Sequence, residues 1–184
     1  MSGAAISNGK PERYTTRDGF EILDNCHRQM LGALDTLAAL VKHLELHSGD
    51  DAARAMAAEV LKFFSTTARH HHEDEERYIF PKALASPDPE MVQTVLRLQQ
   101  DHHWIEEDWM ELSAHLEALK AGQSWWDPAL LREGSEIFIA LLHDHMVLEE
   151  SSIYPAARTR MLPTERRAMG REMAARHRAG RSAR

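Results

Sequence analysis

Six side chains in this sequence could do metal chemistry together: His27, His71, Glu75, His102, His145 and Glu149. His71 and Glu75 are four residues apart, as are His145 and Glu149, so on a helix each pair projects from one face, a turn apart. The step from His27 to His102 is 75 residues and that from His71 to His145 is 74, so a single His followed by an HxxxE pair occurs twice in the same order. Imidazole is the commonest protein metal ligand. Four His and two Glu are too many for one tetrahedral zinc and suit two metals bridged by the carboxylates. Two divalent ions against two carboxylates leave an excess of positive charge, which a bridging hydroxide or oxide would offset.

Such ligands need elements that aim them inward. Turn signals at Ser48-Gly49-Asp50-Asp51, Ser86-Pro87-Asp88-Pro89, Gly122 to Pro128 and Pro163-Thr164 cut the chain into segments rich in Ala, Leu, Glu, Met and Arg. These predict four long helices near 18–47, 51–84, 89–121 and 128–158, with a weaker fifth near 164–178. The connections are short enough to force antiparallel neighbours, so the expected fold is all-α, an up-down-up-down four-helix bundle with a short C-terminal helix. Helix 1 carries a core stripe of Leu23, His27, Met30, Leu34, Leu37, Val41 and Leu44. Helix 3 carries Val95, Leu98, His102, Ile105, Trp109, Leu112, Leu116 and Leu119. Each stripe has one polar member, a histidine. The stripes of helix 2 (Phe64, Ala68, His71, Glu75, Tyr78) and helix 4 (Phe138, Leu142, His145, Glu149, Ser152) each hold a His and a Glu four apart. Burying these groups unpaired would cost several kcal/mol apiece, so something must satisfy them together. The two halves read as a duplicated helical hairpin with pseudo-two-fold symmetry.

The other histidines fall off the stripes. His43, His47, His115 and His177 are expected at the surface, and His70, His72, His103 and His143 beside the ligands or toward solvent. His72 with Glu76 has the same spacing as His71 with Glu75; the alignment of Pro81 with Pro155 decides for the latter pair. Pro81 and Pro155 should end or kink their helices just beyond the ligands. Ile79-Phe80 and Ile153-Tyr154 should cap the bundle with apolar bulk. Tyr78, three residues after Glu75, could hydrogen-bond a bridging carboxylate or pack in the core. Trp104, Trp109, Trp125 and Trp126 are expected as core or loop anchors.

At 184 residues, 43% hydrophobic, the chain has room for one domain with a substantial core. Its divisions are expected to be a disordered lead-in over 1–17, the bundle over 18–158 and an Arg-rich tail over 159–184. The net charge of −7 argues against nucleic acid as the main partner. Residues Arg158 to Arg184 hold nine Arg and two Glu, a net +7, which leaves −14 on the rest. The tail is either a basic arm for nucleic acid, membrane or an acidic partner, or a short helix that packs Met169 and Met173 weakly and lies against the acidic bundle. With one cysteine, Cys26, no apolar leader and no membrane-length run, the expected setting is the cytoplasm, with no membrane partner. No oligomeric state follows from these patterns.

The ordered set H, HxxxE, H, HxxxE, present as His27, His71 to Glu75, His102, and His145 to Glu149, resembles the hemerythrin-like, HHE cation-binding, domain family over about residues 18–158. The resemblance implies two irons, cycling between Fe2+ and Fe3+ and bridged by Glu75 and Glu149, with His27 and His71 on one and His102 and His145 on the other. The ligand types leave zinc or manganese open. Members of the family bind dioxygen or nitric oxide, sense them, store or sense iron, or repair iron-sulfur clusters. The oxygen carriers to which this chain is similar add a fifth His one turn after the third-helix His, where Glu106 stands here. Glu106 is either a third carboxylate at the metals or an ordinary helix residue. The expected function is binding of, or reaction with, dioxygen, peroxide or nitric oxide at a site of four histidines and two glutamates; the alternative is a non-enzymatic iron-storage or iron- or oxygen-sensing module.

Overall fold

The computed structural model describes residues 18–182, so the expected lead-in over 1–17 lies outside the described residues. Five helical stretches follow one another: α1 (Gly19–Leu46), α2 (51–84), α3 (Pro89–Lys120), α4 (128–159) and α5 (Pro163–Ser182). The first four each begin on an aspartate whose carboxylate accepts a backbone N–H of the first turn: Asp18 from Phe20, Asp50 from Ala53, Asp88 from Glu90, Asp127 from Ala129. A side-chain oxygen there satisfies a donor that the helix itself cannot. Pro89 and Pro128 open α3 and α4, where the missing N–H costs nothing. Helix α3 closes on Gly122 at φ +68°, with Gln123 N–H bonded to Ala118 C=O and Gly122 N–H to Leu119 C=O. That left-handed position is open to glycine and strains other residues.

The four long helices form an all-α bundle in which each packs on the next and α4 closes against α1. Its interior is divided. One apolar cluster, built on Met30, Leu34, Leu37, Val60, Leu116 and Phe138, fills one end; a second, built on Phe20, Leu23, Ile79, Leu98, Ile153 and Met173, fills the other. The charged layer lies between them. Along α1 the order is Leu23, His27, Met30, and along α3 it is Leu98, His102, Ile105, so each histidine sits where one cluster gives way to the other.

Pro81 and Pro155 do not end their helices. Both are passed through, because each is preceded by a π turn, Glu75–Ile79 in α2 and Glu149–Ile153 in α4. In these turns Phe80 N–H reaches back five residues to Glu75 C=O, and Tyr154 N–H to Glu149 C=O. The wider turn gives room where a proline ring would press on the carbonyl four residues earlier. It also shifts the helix face by one residue. The groups that follow the glutamates into the core are therefore Ile79 and Ile153, both fully buried, and not Tyr78 and Ser152 as an unbroken 3.6-residue period predicts. A third π segment, Phe63–Ala68, interrupts α2 before His71.

Helix α5 is an integral layer and not a weakly held tail. Met169 and Met173 are buried in the second cluster, and a Cβ on Gly19 would collide with Met169 Cε, so glycine there permits the close approach of α5 to α1. Its cations turn to the bundle: Arg166 lies 3.4 Å from Asp18, and Arg176 is ion-paired to buried Asp74. His177, expected at the surface, is also directed at Asp74, 2.9 Å from its Oδ2. No helix among the described residues is long and apolar enough to cross a membrane. Trp109 packs on Phe64 and Phe138 and Trp126 lies against the first apolar cluster, as core anchors; Trp125, largely exposed, donates its indole N–H to Gln123 in the loop between α3 and α4, and Trp104 is half exposed.

Candidate metal centre

All six side chains singled out in the sequence converge in the layer between the two apolar clusters, and each is at least 94% buried. His27 and His71 bring their Nε2 atoms to 2.9 Å of each other; His102 and His145 do the same at 3.1 Å. Glu75 and Glu149 lie between the two histidine pairs. Glu75 presents Oε1 to His71 at 3.1 Å and Oε2 to His102 at 3.4 Å. Glu149 presents Oε2 to His27 at 3.3 Å and Oε1 to His145 at 3.1 Å. Each carboxylate therefore spans the two pairs, one oxygen apiece, which is the disposition of a bridging ligand.

The donors are aimed but unsatisfied. Glu75 Oε2 and both oxygens of Glu149 are buried without a hydrogen-bond donor. A buried carboxylate in that condition costs several kcal/mol unless a cation compensates it. The orphaned oxygens and the converging imidazoles thus fit a metal-bound state. Two groups of side chains have ligand atoms all within 4.8 Å of one another: His27, His71, Glu75 and Glu149, and His72, Glu75, His102 and His145. Glu75 belongs to both groups, as a residue shared between two metals would.

Outer contacts fix the rings. His27 Nδ1 lies 2.8 Å from Glu150 Oε1 and His102 Nδ1 lies 2.9 Å from Glu76 Oε1. With a carboxylate taking the Nδ1 proton, the lone pair is left on Nε2, which faces the centre. The contact crosses between halves, since Glu150 follows the ligand glutamate of α4 and Glu76 that of α2. Glu76 thus serves His102 from outside, and the competing His72–Glu76 register is not the one that spans the pairs. His145 Nδ1 has Asp101 at 3.7 Å, and Cys26, 75 residues earlier, bears on His71 in the same way.

Without metal, protons hold the layer together. Burial alone would depress His145, but Glu149 and Asp101 outweigh it and hold the imidazole up to about 10. His71 is raised against burial by Glu75, and Glu75 is lowered against burial by His71 and His102.

Two aromatic placements differ from expectation, and the alternatives left open for Glu106 and His72 are narrowed. Tyr78 does not reach a bridging carboxylate: its hydroxyl donates to Glu172 at 2.6 Å on the outside of the bundle. The phenol at the centre is Tyr154, which donates to Glu75 Oε1 and lies 3.1 Å from His27 Nε2, its ring stacked on the imidazole at 5.4 Å. Tyr154 is therefore more than apolar bulk. Its counterpart 74 residues earlier, Phe80, stacks on His102 at 5.3 Å and has no hydroxyl to offer. Glu106 is exposed and belongs to neither group. It instead lines a cavity of about 290 Å³ with Phe64, Ile105, Trp109, His72 and His102. His72, set aside as off the stripe, is the residue that sequence periodicity missed; the signal for it was its helical neighbourhood with His71, which the 3.6-residue stripe discards.

The sequence of this chain matches the hemerythrin HHE cation-binding domain over residues 18–157. It is also 29% identical over 143 residues to an uncharacterized protein of Haemophilus influenzae, covering 77% of this chain and 80% of that one. The matched span runs from the cap of α1 to the last turn of α4 and takes in every residue of both His/Glu groups. The chain belongs to the hemerythrin HHE cation-binding family.

Proposed function

We propose that this protein is a non-haem di-iron protein that binds or reacts with dioxygen, peroxide or nitric oxide. His27 and His71 would hold one iron, His102 and His145 the other, with Glu75 and Glu149 bridging, in a bundle of antiparallel up-down-up-down order. The observation that carries this reading is the placement of one oxygen of each glutamate toward each histidine pair. When bound, two irons supply two reducing equivalents side by side at one small ligand. The chain's own residues do the rest. Phe80 stacks on His102 and Ile105 lines the cavity beside it, Glu76 and Glu150 fix the imidazole tautomers, and Tyr154 holds Glu75 in place with a proton available on its hydroxyl. The cavity lined by His72 and His102 has room for a diatomic ligand and stands at the lower limit for organic molecules. The lone cysteine in 184 residues supports a cytoplasmic setting.

One observation favours a second reading, an iron- or oxygen-sensing or iron-storage module. Asp74, adjacent to Glu75, is gripped by Arg176 and His177 of α5, so the charge state of the centre bears directly on the seating of that helix. Anaerobic Fe(II) titration of metal-free protein, followed optically on admitting air, tests the first reading. Saturation near two irons per chain, with charge-transfer bands that appear on exposure to air, is the expected result. One iron or none, with tight zinc binding, would sink it. Iron-dependent protease protection of α5 without turnover would support the second.

A further inference from the structure

The two halves of the centre are not equivalent, and His72 marks the difference. We propose that His72 is a ligand of the metal position built by His102 and His145, which makes that position a three-imidazole site while its twin has two imidazoles and the Tyr154 phenol. The inference rests on the di-metal reading above.

Four observations carry it. His72 Nε2 is buried without a hydrogen-bond partner, although the edge of its ring borders the cavity. A buried polar nitrogen left unpaired costs about 1–3 kcal/mol, more than a packing role repays. Its ligand atom lies within 4.8 Å of those of Glu75, His102 and His145. Donors about 2.1 Å from a common ion are at most about 4.2 Å apart, so small rotations close the group on one ion. The residue 74 positions later is Met146, buried in the first apolar cluster, so the imidazole is a departure present in one half only. The complementary departure is on the other side, where Tyr154 takes the place of Phe80. Each position thus receives one additional polar group, an imidazole at one and a phenol at the other. The rival role for His72 is a ring stacked on His102, with centroids 4.2 Å apart.

The full-length protein loaded with Co(II) under anaerobic conditions distinguishes these roles, because the visible spectrum of Co(II) reports its ligands and calorimetry counts the ions. Wild type should take two Co(II) per chain. His72→Leu, with folding verified by circular dichroism, should keep one position intact and weaken the other by about 100-fold or more, the upper end of what loss of a supporting residue alone produces. In His72→Ala, added imidazole entering by the cavity should restore the wild-type spectrum. His103→Ala, altered at an exposed neighbour, should match wild type. Two Co(II) bound by every variant with affinities within about threefold of wild type and an unchanged spectrum would overturn the assignment of His72 and leave the di-metal centre standing. Fewer than two Co(II) in wild type would overturn both.

Discussion

Replacing Tyr154 by phenylalanine removes a single oxygen from the centre and nothing else. Phe80 already shows that a phenyl ring stacks on the equivalent imidazole at almost the same separation, 5.3 Å against 5.4 Å, so the variant should pack without adjustment. What is lost is the hydroxyl's donation to the fully buried Glu75 carboxylate. Hydrogen bonds to charged acceptors contribute about 1.5–3 kcal/mol, and a phenyl ring in that place has nothing to donate. In metal-free protein the urea midpoint should fall by about 0.5–1 M, taking a slope of about 3 kcal/mol per M for a chain of this size. Burial and the neighbouring Glu75 and Glu149 raise the Tyr154 phenol well above its ordinary value. Folding below the ordinary phenol range thus keeps the full contribution of the hydroxyl, and the loss should be the same across about pH 6–8. Tyr78→Phe is the control, because that hydroxyl meets Glu172 and Arg176 near solvent and should matter by less than about 1 kcal/mol. Equal midpoints for the two variants would refute the argument that the phenol holds the bridging carboxylate.

The supporting carboxylates offer a second measurement. Glu76→Gln and Glu150→Gln should each lower metal affinity by about 10–100-fold in competition with a chromophoric chelator, and an unchanged affinity would remove them from the centre. Metal removal should expose a pH dependence. His145, held up to about 10 from an ordinary 6.5, stabilises the metal-free fold fully below about pH 6.5 and progressively less as pH rises toward 10. Thermal melts of metal-free protein should therefore fall over that range while those of loaded protein do not; parallel curves would contradict the proton-held layer. Met173→Ala, which empties a fully buried site between α5 and α1, should cost about 2–5 kcal/mol in urea denaturation. A loss below about 0.5 kcal/mol would return α5 to the status of a loose tail.

Much of this was legible in the residues because the stripe of a bundle helix admits polar groups only at a cost, so His27 and His102 were conspicuous among leucines. Turn chemistry marked the helix starts for the same kind of reason: Asp50, Asp88 and Asp127 each precede a helical run and each caps one. What periodicity could not deliver follows from the π turns. Counting 3.6 residues per turn beyond Glu75 selects Tyr78, whereas the wider turn brings in Ile79 and then Phe80, and in the other half Ile153 and Tyr154. The phenol at the centre was hidden by one residue of phase. His72 was hidden by the same convention, since a strict stripe assigns adjacent residues to different faces even where a broad layer collects both. The close seating of Met169 depended on Gly19, a contact between residues 150 positions apart that no local pattern contains.

The twin π turns also show how closely the two hairpins match. An extra residue in a helix rotates everything after it, and the chain tolerates this only if the downstream face is repacked to suit. Here the same insertion, followed by the same Ile-aromatic-Pro sequence, stands at matched places in both hairpins. Each hairpin supplies one single His and one HxxxE, half of the buried layer, so neither hairpin alone brings the six groups together. The two halves match in the course of the backbone and part in their side chains, with His72 standing against Met146 and Tyr154 against Phe80.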